Sequence, residues 1–197
     1  MADPEIAFDG LVAHAAVSNR SVPRGVRLSE RRGLGKIDLR GNPGDRGFMS
    51  AVGRSLDLLL PTEPCTSASQ GDVSALWLGP DQWLIICQED RTAALITELD
   101  EALGSIHAAT TDVSAGRCSF RLRGPDVLDV LAKGCPLDLD PRSVKPGYVA
   151  GSVLAKITAL VHLSEDGVVD LYAGRSFADY LWAWLENAGL EYGLIID

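Results

Sequence analysis

The chain contains two copies of one pattern of elements, separated by 83 to 85 residues. The pairs that define this offset are Leu39 with Leu122 and Gly41 with Gly124, at 83 residues, and Ile86 with Leu171 and Leu99 with Trp184, at 85 residues. An offset that holds over most of a chain indicates a duplicated supersecondary unit, because each copy buries its apolar face against neighbouring structure. We therefore predict two pseudo-symmetric halves that bury one shared core.

Each half reads as a strand, a helix, a β-hairpin and a second helix. In the first half, Phe48, Val52 and Leu56 recur at a spacing of four, which is typical of one helix face, and Gly79-Pro80-Asp81-Gln82 separates two apolar runs as a hairpin turn does. In the second half, the last helix has an apolar stripe formed by Phe177, Tyr180, Leu181, Trp184, Leu185 and Ala188. This order predicts an α+β fold with two pseudo-symmetric repeats, helices and largely antiparallel sheets.

The repeats begin after an N-terminal stretch that belongs to neither copy. We predict an N-terminal arm over residues 1–32, a first repeat unit over 33–105 and a second over 106–197, with 33–197 forming one compact body. Residues 20–46 hold eight basic and three acidic side chains in a chain whose net charge is −9. The charge contrast suggests that the arm lies on a partner subunit, through Arg20, Arg24, Arg27, Arg31 and Arg32. An arm folded back onto its own acidic body would explain the charge equally well.

Composition narrows the classes of function. An acidic chain of net charge −9 lacks the basic face that nucleic acid requires. The four cysteines lie far apart without a C-x-x-C motif, and the first residues, MADPEIAFDG, do not resemble a signal peptide. No apolar run approaches the roughly 18 residues of a membrane span. We therefore expect a cytoplasmic protein that contacts neither nucleic acid nor membrane.

The sequence presents no catalytic constellation. Its three histidines are isolated, so we predict no metal site, and Gly33-Leu34-Gly35 lacks the third glycine and the strand-to-helix setting of a dinucleotide loop. Asp112, just before a core strand, is the best carboxylate for binding a cofactor, although a turn aspartate would have the same setting. Trp182 lies about 100° around the last helix from Leu181. It either covers an adjacent part of the core or, as we predict, anchors a partner interface.

Three stretches resemble the gamma subunit of heterotetrameric sarcosine oxidase. They are TDVSAGRCSFRLRGPDVLDVLAKGCPLDLDP (Thr111 to Pro141), DLYAGRSFADYLWAWL (Asp170 to Leu185) and WLGPDQWL (Trp77 to Leu84). The resemblance covers about residues 30 to 190. That family is similar in turn to the folate-binding aminomethyltransferases, which implies a fold of duplicated α+β units.

The resemblance implies a subunit of a complex that oxidatively demethylates sarcosine to glycine, together with alpha, beta and delta subunits. FAD, FMN, NAD, tetrahydrofolate and zinc are expected in those other subunits. No catalytic or cofactor-binding residue is attributed to gamma, so this chain is expected to be non-catalytic alone and to act in assembly. The alternative is a free-standing tetrahydrofolate-binding protein of the aminomethyltransferase type, in which Asp112 would contact the pterin.

Overall fold

The structure, a computed structural model, describes residues 25–197, and all structural statements concern that part of the chain. Its strands are β1 (Arg27–Glu30), β2 (Leu34–Gly41), β3 (Ser67–Gln70), β4 (Val73–Gly79), β5 (Gln82–Gln88), β6 (Ala108–Asp112), β7 (Arg117–Arg123), β8 (Tyr148–Leu154), β9 (Ile157–Glu165), β10 (Val168–Gly174) and β11 (Ile195–Ile196). Its α-helices are α1 (Arg46–Leu56), α2 (Thr92–Leu103), α3 (Val127–Ala132) and α4 (Ala178–Gly189). The predicted α+β class with largely antiparallel sheets is confirmed.

The chain divides into two compact units. The first-repeat unit consists of residues 32–114 and 147–150, and the second-repeat unit of the described residues 25–31, 115–146 and 151–197. The first ends later than the predicted boundary at residue 105, because β6 completes its sheet. That one core serves both repeats stays a prediction.

The first-repeat unit is built on a five-stranded sheet with the order β3-β4-β5-β2-β6. Helix α1 begins at Asp45, whose carboxylate accepts hydrogen bonds from the backbone N–H groups of Gly47 and Phe48, as an N-cap residue does. The ring of Phe48 packs against the buried ring of Trp83, with 5.8 Å between centroids. One hydrophobic core therefore joins α1 to the central strand β5.

The second-repeat unit has a six-stranded sheet with the order β11-β1-β7-β10-β9-β8. Its central pair follows the same register as in the first unit, since Phe120 opposes Leu171 as Ile37 opposes Ile85. These four side chains are all fully buried. The two sheets are therefore copies of one design.

The structure corrects the offset in the C-terminal part of the repeat from 85 to 86 residues. Strand β10 begins 86 residues after β5, and α4 begins 86 residues after α2. The counterpart of Leu99 is therefore Leu185, not Trp184. A shift of one residue rotates a helix position by about 100°, which explains why Trp184 is only partly buried while Leu99 and Leu185 are fully buried.

Strand β1 lies where part of an N-terminal arm was predicted. It is inserted between β7 and β11, with Arg27 opposite Arg123 on one side and opposite Ile195 on the other. Leu28 in the same strand is fully buried. The end of the predicted arm is thus an integral strand of the second-repeat unit. Residues 1–24, including Arg20 and Arg24, lie outside the described residues.

Candidate functional site

The most concentrated polar cluster lies in the second-repeat unit, around Asp170 of β10. Its carboxylate accepts two hydrogen bonds from Arg121, from Nε to Oδ1 and from Nη2 to Oδ2, each 2.6 Å long. Arg31 donates a third from Nη1 to Oδ2 over 2.9 Å. The Asp170 side chain is only 1% exposed. A carboxylate this deeply buried requires such partners, because an unpaired buried charge is very costly.

Strand pairing places each member of this cluster. Arg121 is directly opposite Asp170 on β7, and His162 is opposite it on β9. Arg31 directly follows β1, and its backbone N–H donates to the carbonyl oxygen of Ser119 over 2.8 Å. Sequence reasoning did not find the cluster, because Arg31 and Arg121 are 139 and 49 residues away from Asp170. The charged residues among buried apolar strands were the available signal.

Burial and charge set the protonation of the neighbouring groups. Burial lowers the pKa of His162 to about 4; Asp170 raises this pKa, while Arg31 and Arg121 lower it. Burial, with a further contribution from Asp170, raises the pKa of Tyr172 above its ordinary value. His162 and Tyr172 are thus neutral near pH 7, and the carboxylate of Asp170 is held by two guanidinium groups. This arrangement suits fixing β1 in the sheet rather than transferring protons.

The cluster is specific to the second repeat. At the corresponding offsets, the first repeat has Leu84 in place of Asp170 and Leu76 in place of His162. Both leucines are fully buried. The polar group therefore occurs only in the repeat whose sheet receives the inserted strand β1.

Asp112, the residue predicted as a cofactor candidate, ends strand β6 and is exposed. Its Oδ1 accepts a hydrogen bond from the backbone N–H of Ser114 over 2.8 Å. That contact belongs to a local turn, the alternative that the sequence also allowed. Cofactor binding by Asp112 stays a prediction without a further contact to support it.

Two open concavities lie in the first-repeat unit. One, of about 790 Å³, is lined by Asn42, Pro43, Asp45, Pro80, Asp81 and His107. Its polar side chains serve local structure: Asp45 caps α1, Asn42 accepts from the N–H of Gly44, and Asp81 pairs with Arg40 at 3.1 Å. The other, of about 590 Å³, is lined by Gly33, Gln88, Glu89 and Asp90. Neither brings together the convergent polar groups that a small-molecule site uses.

Metal and thiol chemistry find no site in residues 25–197. Within this range no group of three or more His, Cys, Asp or Glu side chains is placed to hold a metal ion. Cys87 is buried, and burial raises the pKa of its thiol above the ordinary value. Such a thiol is a weak nucleophile at neutral pH. No helix among the described residues is long and apolar enough to cross a membrane.

The residues predicted to contact a partner are placed differently from one another. Arg27 is exposed and donates from Nε to Asp197 over 2.8 Å, whereas Arg31 is drawn into the Asp170 cluster. Arg32 is exposed. Trp182 is 3% exposed, and its ring meets that of Phe120 edge to face at 5.6 Å. Trp182 therefore covers the core of its own unit, and this corrects its predicted role as a surface anchor.

Comparison with known proteins agrees with this description. A profile of the sarcosine oxidase, gamma subunit family matches residues 40–191. A relative named sarcosine oxidase subunit gamma, from Corynebacterium sp. (strain P-1), is 32% identical over 178 residues, which cover 90% of this chain and 86% of the relative.

Solved structures show the same relationship. A chain of the heterotetrameric sarcosine oxidase from Corynebacterium sp. U-96, in complex with pyrrole 2-carboxylate, matches with a TM-score of 0.81 and 31% identity over 86% of each chain. The glycine cleavage system aminomethyltransferase T from Bartonella henselae matches with a TM-score of 0.65 and 12% identity, over 89% of this chain and 48% of that one. The second likeness shows a shared fold alone. The profile match and the 31–32% identity over nearly the whole length show that this chain belongs to the sarcosine oxidase gamma subunit family.

Proposed function

We propose that this chain is the gamma subunit of a heterotetrameric sarcosine oxidase, which oxidatively demethylates sarcosine to glycine, and that its role there is structural. The observation that carries the proposal is the likeness, over 86% of both chains, to a chain of a heterotetrameric sarcosine oxidase. The internal pairing of Asp170, Asp45 and Asp81 supports a non-catalytic role, because these carboxylates already serve the fold.

The proposal extends to partners and cofactors. The partners are the alpha, beta and delta subunits, and the assembly is cytoplasmic. FAD, FMN, NAD, tetrahydrofolate and zinc belong to those other subunits. The absence of a cluster of metal ligands among residues 25–197 is consistent with zinc being bound elsewhere.

The N-terminal segment is proposed to contribute to the partner interface. Arg20, Arg24 and Arg32 carry this role together with the exposed part of Arg27, since Arg31 is held by Asp170. Deletion of residues 2–24 retains β1, so the described fold should persist while assembly weakens. Deletion of residues 2–31 also removes β1 and should destabilise the second-repeat unit. If the shorter deletion leaves the affinity for the other subunits unchanged, the segment is not part of the interface.

Reconstitution tests the main proposal. The alpha, beta and delta subunits are co-expressed with and without this chain, and the purified product is assayed for composition, flavin content and sarcosine-dependent oxygen consumption. We expect a stoichiometric four-subunit complex only when this chain is present, and no turnover by this chain alone. A fully active three-subunit complex that never retains this chain would refute the assignment.

The competing function, a free-standing tetrahydrofolate protein, has its own test. Isothermal titration of the isolated chain with tetrahydrofolate should give no stoichiometric heat. Tight binding that is lost in Asp112→Asn would instead favour the aminomethyltransferase-like function and make Asp112 a binding residue.

A further inference from the structure

One flank of helix α4 combines aromatic side chains with an absence of charge. Phe177, directly before the helix, is 46% exposed and Tyr180 is 38% exposed. Trp184 is partly buried, while Ala183 and Asn187 are exposed. We call these five residues the aromatic face. Aromatic enrichment with depletion of charge is the composition of the buried centre of protein interfaces.

The first repeat provides an internal reference for this surface. The positions of α2 and its preceding turn that correspond to the aromatic face, 86 residues earlier, are Arg91, Ala94, Thr97, Glu98 and Glu101, all of them exposed. Three of these five residues are charged, as expected for a helix flank in contact with water. The same position in the same fold is thus polar in one repeat and aromatic in the other. The fold therefore does not require the aromatic residues of α4.

The aromatic face is held in a defined conformation. A Cβ atom added to Gly134 would lie 2.5 Å from Cζ2 of Trp184, so the indole edge rests directly on that backbone. The ring of Phe177 similarly lies over Gly174, where a Cβ atom would be 3.5 Å from its Cδ2. Side chains fixed before binding lose less conformational entropy when a partner covers them.

We propose that the aromatic face is the surface through which this chain docks onto another subunit of the oxidase, with Tyr180 and Trp184 as its anchors. This inference rests on the proposed function as a gamma subunit. The occupant presents an apolar pocket with Lys or Arg at its rim, because the exposed carboxylate of Asp179 and the partly exposed one of Glu186 border the face. A second copy of this chain would bring the same carboxylates against each other, which charge repulsion opposes.

The test measures binding of the intact chain to the remaining subunits. Tyr180→Ala and Trp184→Ala are each titrated, by interferometry, against a complex of the alpha, beta and delta subunits prepared without this chain. Each substitution should weaken the affinity by at least about tenfold, the effect of losing a central aromatic anchor. Asp179→Lys should weaken it less and should reduce its dependence on salt, as expected for a charge at the rim.

Matched controls come from the first repeat. Ala94→Ser and Glu98→Ala alter the corresponding positions of α2, and their affinities should stay within about twofold of the wild type, as for residues outside an interface. Circular dichroism and the midpoint of urea unfolding are measured for every variant. Tyr180→Ala provides the decisive comparison if Trp184→Ala lowers stability, because Tyr180 is more exposed.

Each outcome has a separate meaning. If the wild-type chain binds and the two aromatic variants bind equally well, the docking surface is elsewhere and only this inference fails. If the wild-type chain does not bind the oxidase subunits, the proposed function fails as well. If the isolated chain forms a dimer that dissociates in both aromatic variants, the face joins two copies, and docking onto another subunit is refuted.

Discussion

Leu99 of α2 and Leu185 of α4 occupy the same place in the two repeats, and both side chains are fully buried. They lie 86 residues apart, as do the strands β5 and β10 that precede their helices. Each leucine packs in the core of its own unit. The duplicated design is thus read most reliably from positions that are buried in both copies.

The first prediction concerns this pair. Leu99→Ala and Leu185→Ala should each lower the free energy of unfolding by about 2 to 5 kcal/mol, the usual cost of truncating a buried leucine. Urea denaturation of the purified chain gives both values. Trp184→Ala should cost less than Leu185→Ala, because part of the Trp184 side chain is already exposed. The opposite order would mean that the offset is 85 residues after all.

The sequence predicted the repeat, the order of elements and the fold class, because these depend on local patterns of apolar residues. It missed the register of α4 by one residue, since Leu181, Trp182, Trp184 and Leu185 are all apolar and allow two stripes. The offset also grows from 83 to 86, because the connection from β7 to β10 is three residues longer than that from β2 to β5. No local pattern reveals such an insertion.

The polar cluster and the inserted strand were beyond local reasoning for another reason. Strand β1 pairs with β7 and β11, which lie far along the chain, and nothing in the sequence Arg27–Glu30 specifies those neighbours. The assignment of Arg31 to an arm followed from charge alone. In the structure its charge is matched by Asp170 in the same unit.

The second prediction concerns Trp182. Because its ring is buried against Phe120, Trp182→Ala should destabilise the chain by about 3 to 5 kcal/mol, as truncation of a buried aromatic side chain does. Thermal unfolding followed by near-ultraviolet circular dichroism measures the loss. Phe120→Leu, which keeps an apolar side chain at the contact, should cost less. A fully stable Trp182→Ala variant with weakened subunit binding would restore the surface role first predicted.

The third prediction concerns the Asp170 cluster. Asp170→Ala leaves Arg31 and Arg121 without their shared carboxylate and should cost about 3 to 5 kcal/mol. Arg121→Ala should cost more than Arg31→Ala, since Arg121 makes two of the three hydrogen bonds. In Arg31→Ala, amide hydrogen exchange should accelerate in β1 before other strands. Arg27→Ala, which removes an exposed ion pair, serves as the control and should change stability little.

The final prediction concerns pH and follows from His162. Burial lowers its pKa in the folded state to about 4, below the value near 6.5 of an unfolded chain. Between these values the unfolded chain binds more protons, so stability is fully present above about pH 6.5 and declines as the pH falls towards 4. With about 1.4 kcal/mol for each pKa unit, the loss reaches roughly 3 kcal/mol. Urea unfolding at a series of pH values measures it.

The variant His162→Leu isolates this contribution. Leucine is the residue that the first repeat carries at the corresponding position, Leu76, where it is fully buried, so the substitution suits the sheet. The free energy of unfolding of His162→Leu should depend less steeply on pH between about 6.5 and 4 than that of the wild type. Parallel curves for the two proteins would mean that the imidazole is already charged in the folded state, and that burial does not control its protonation.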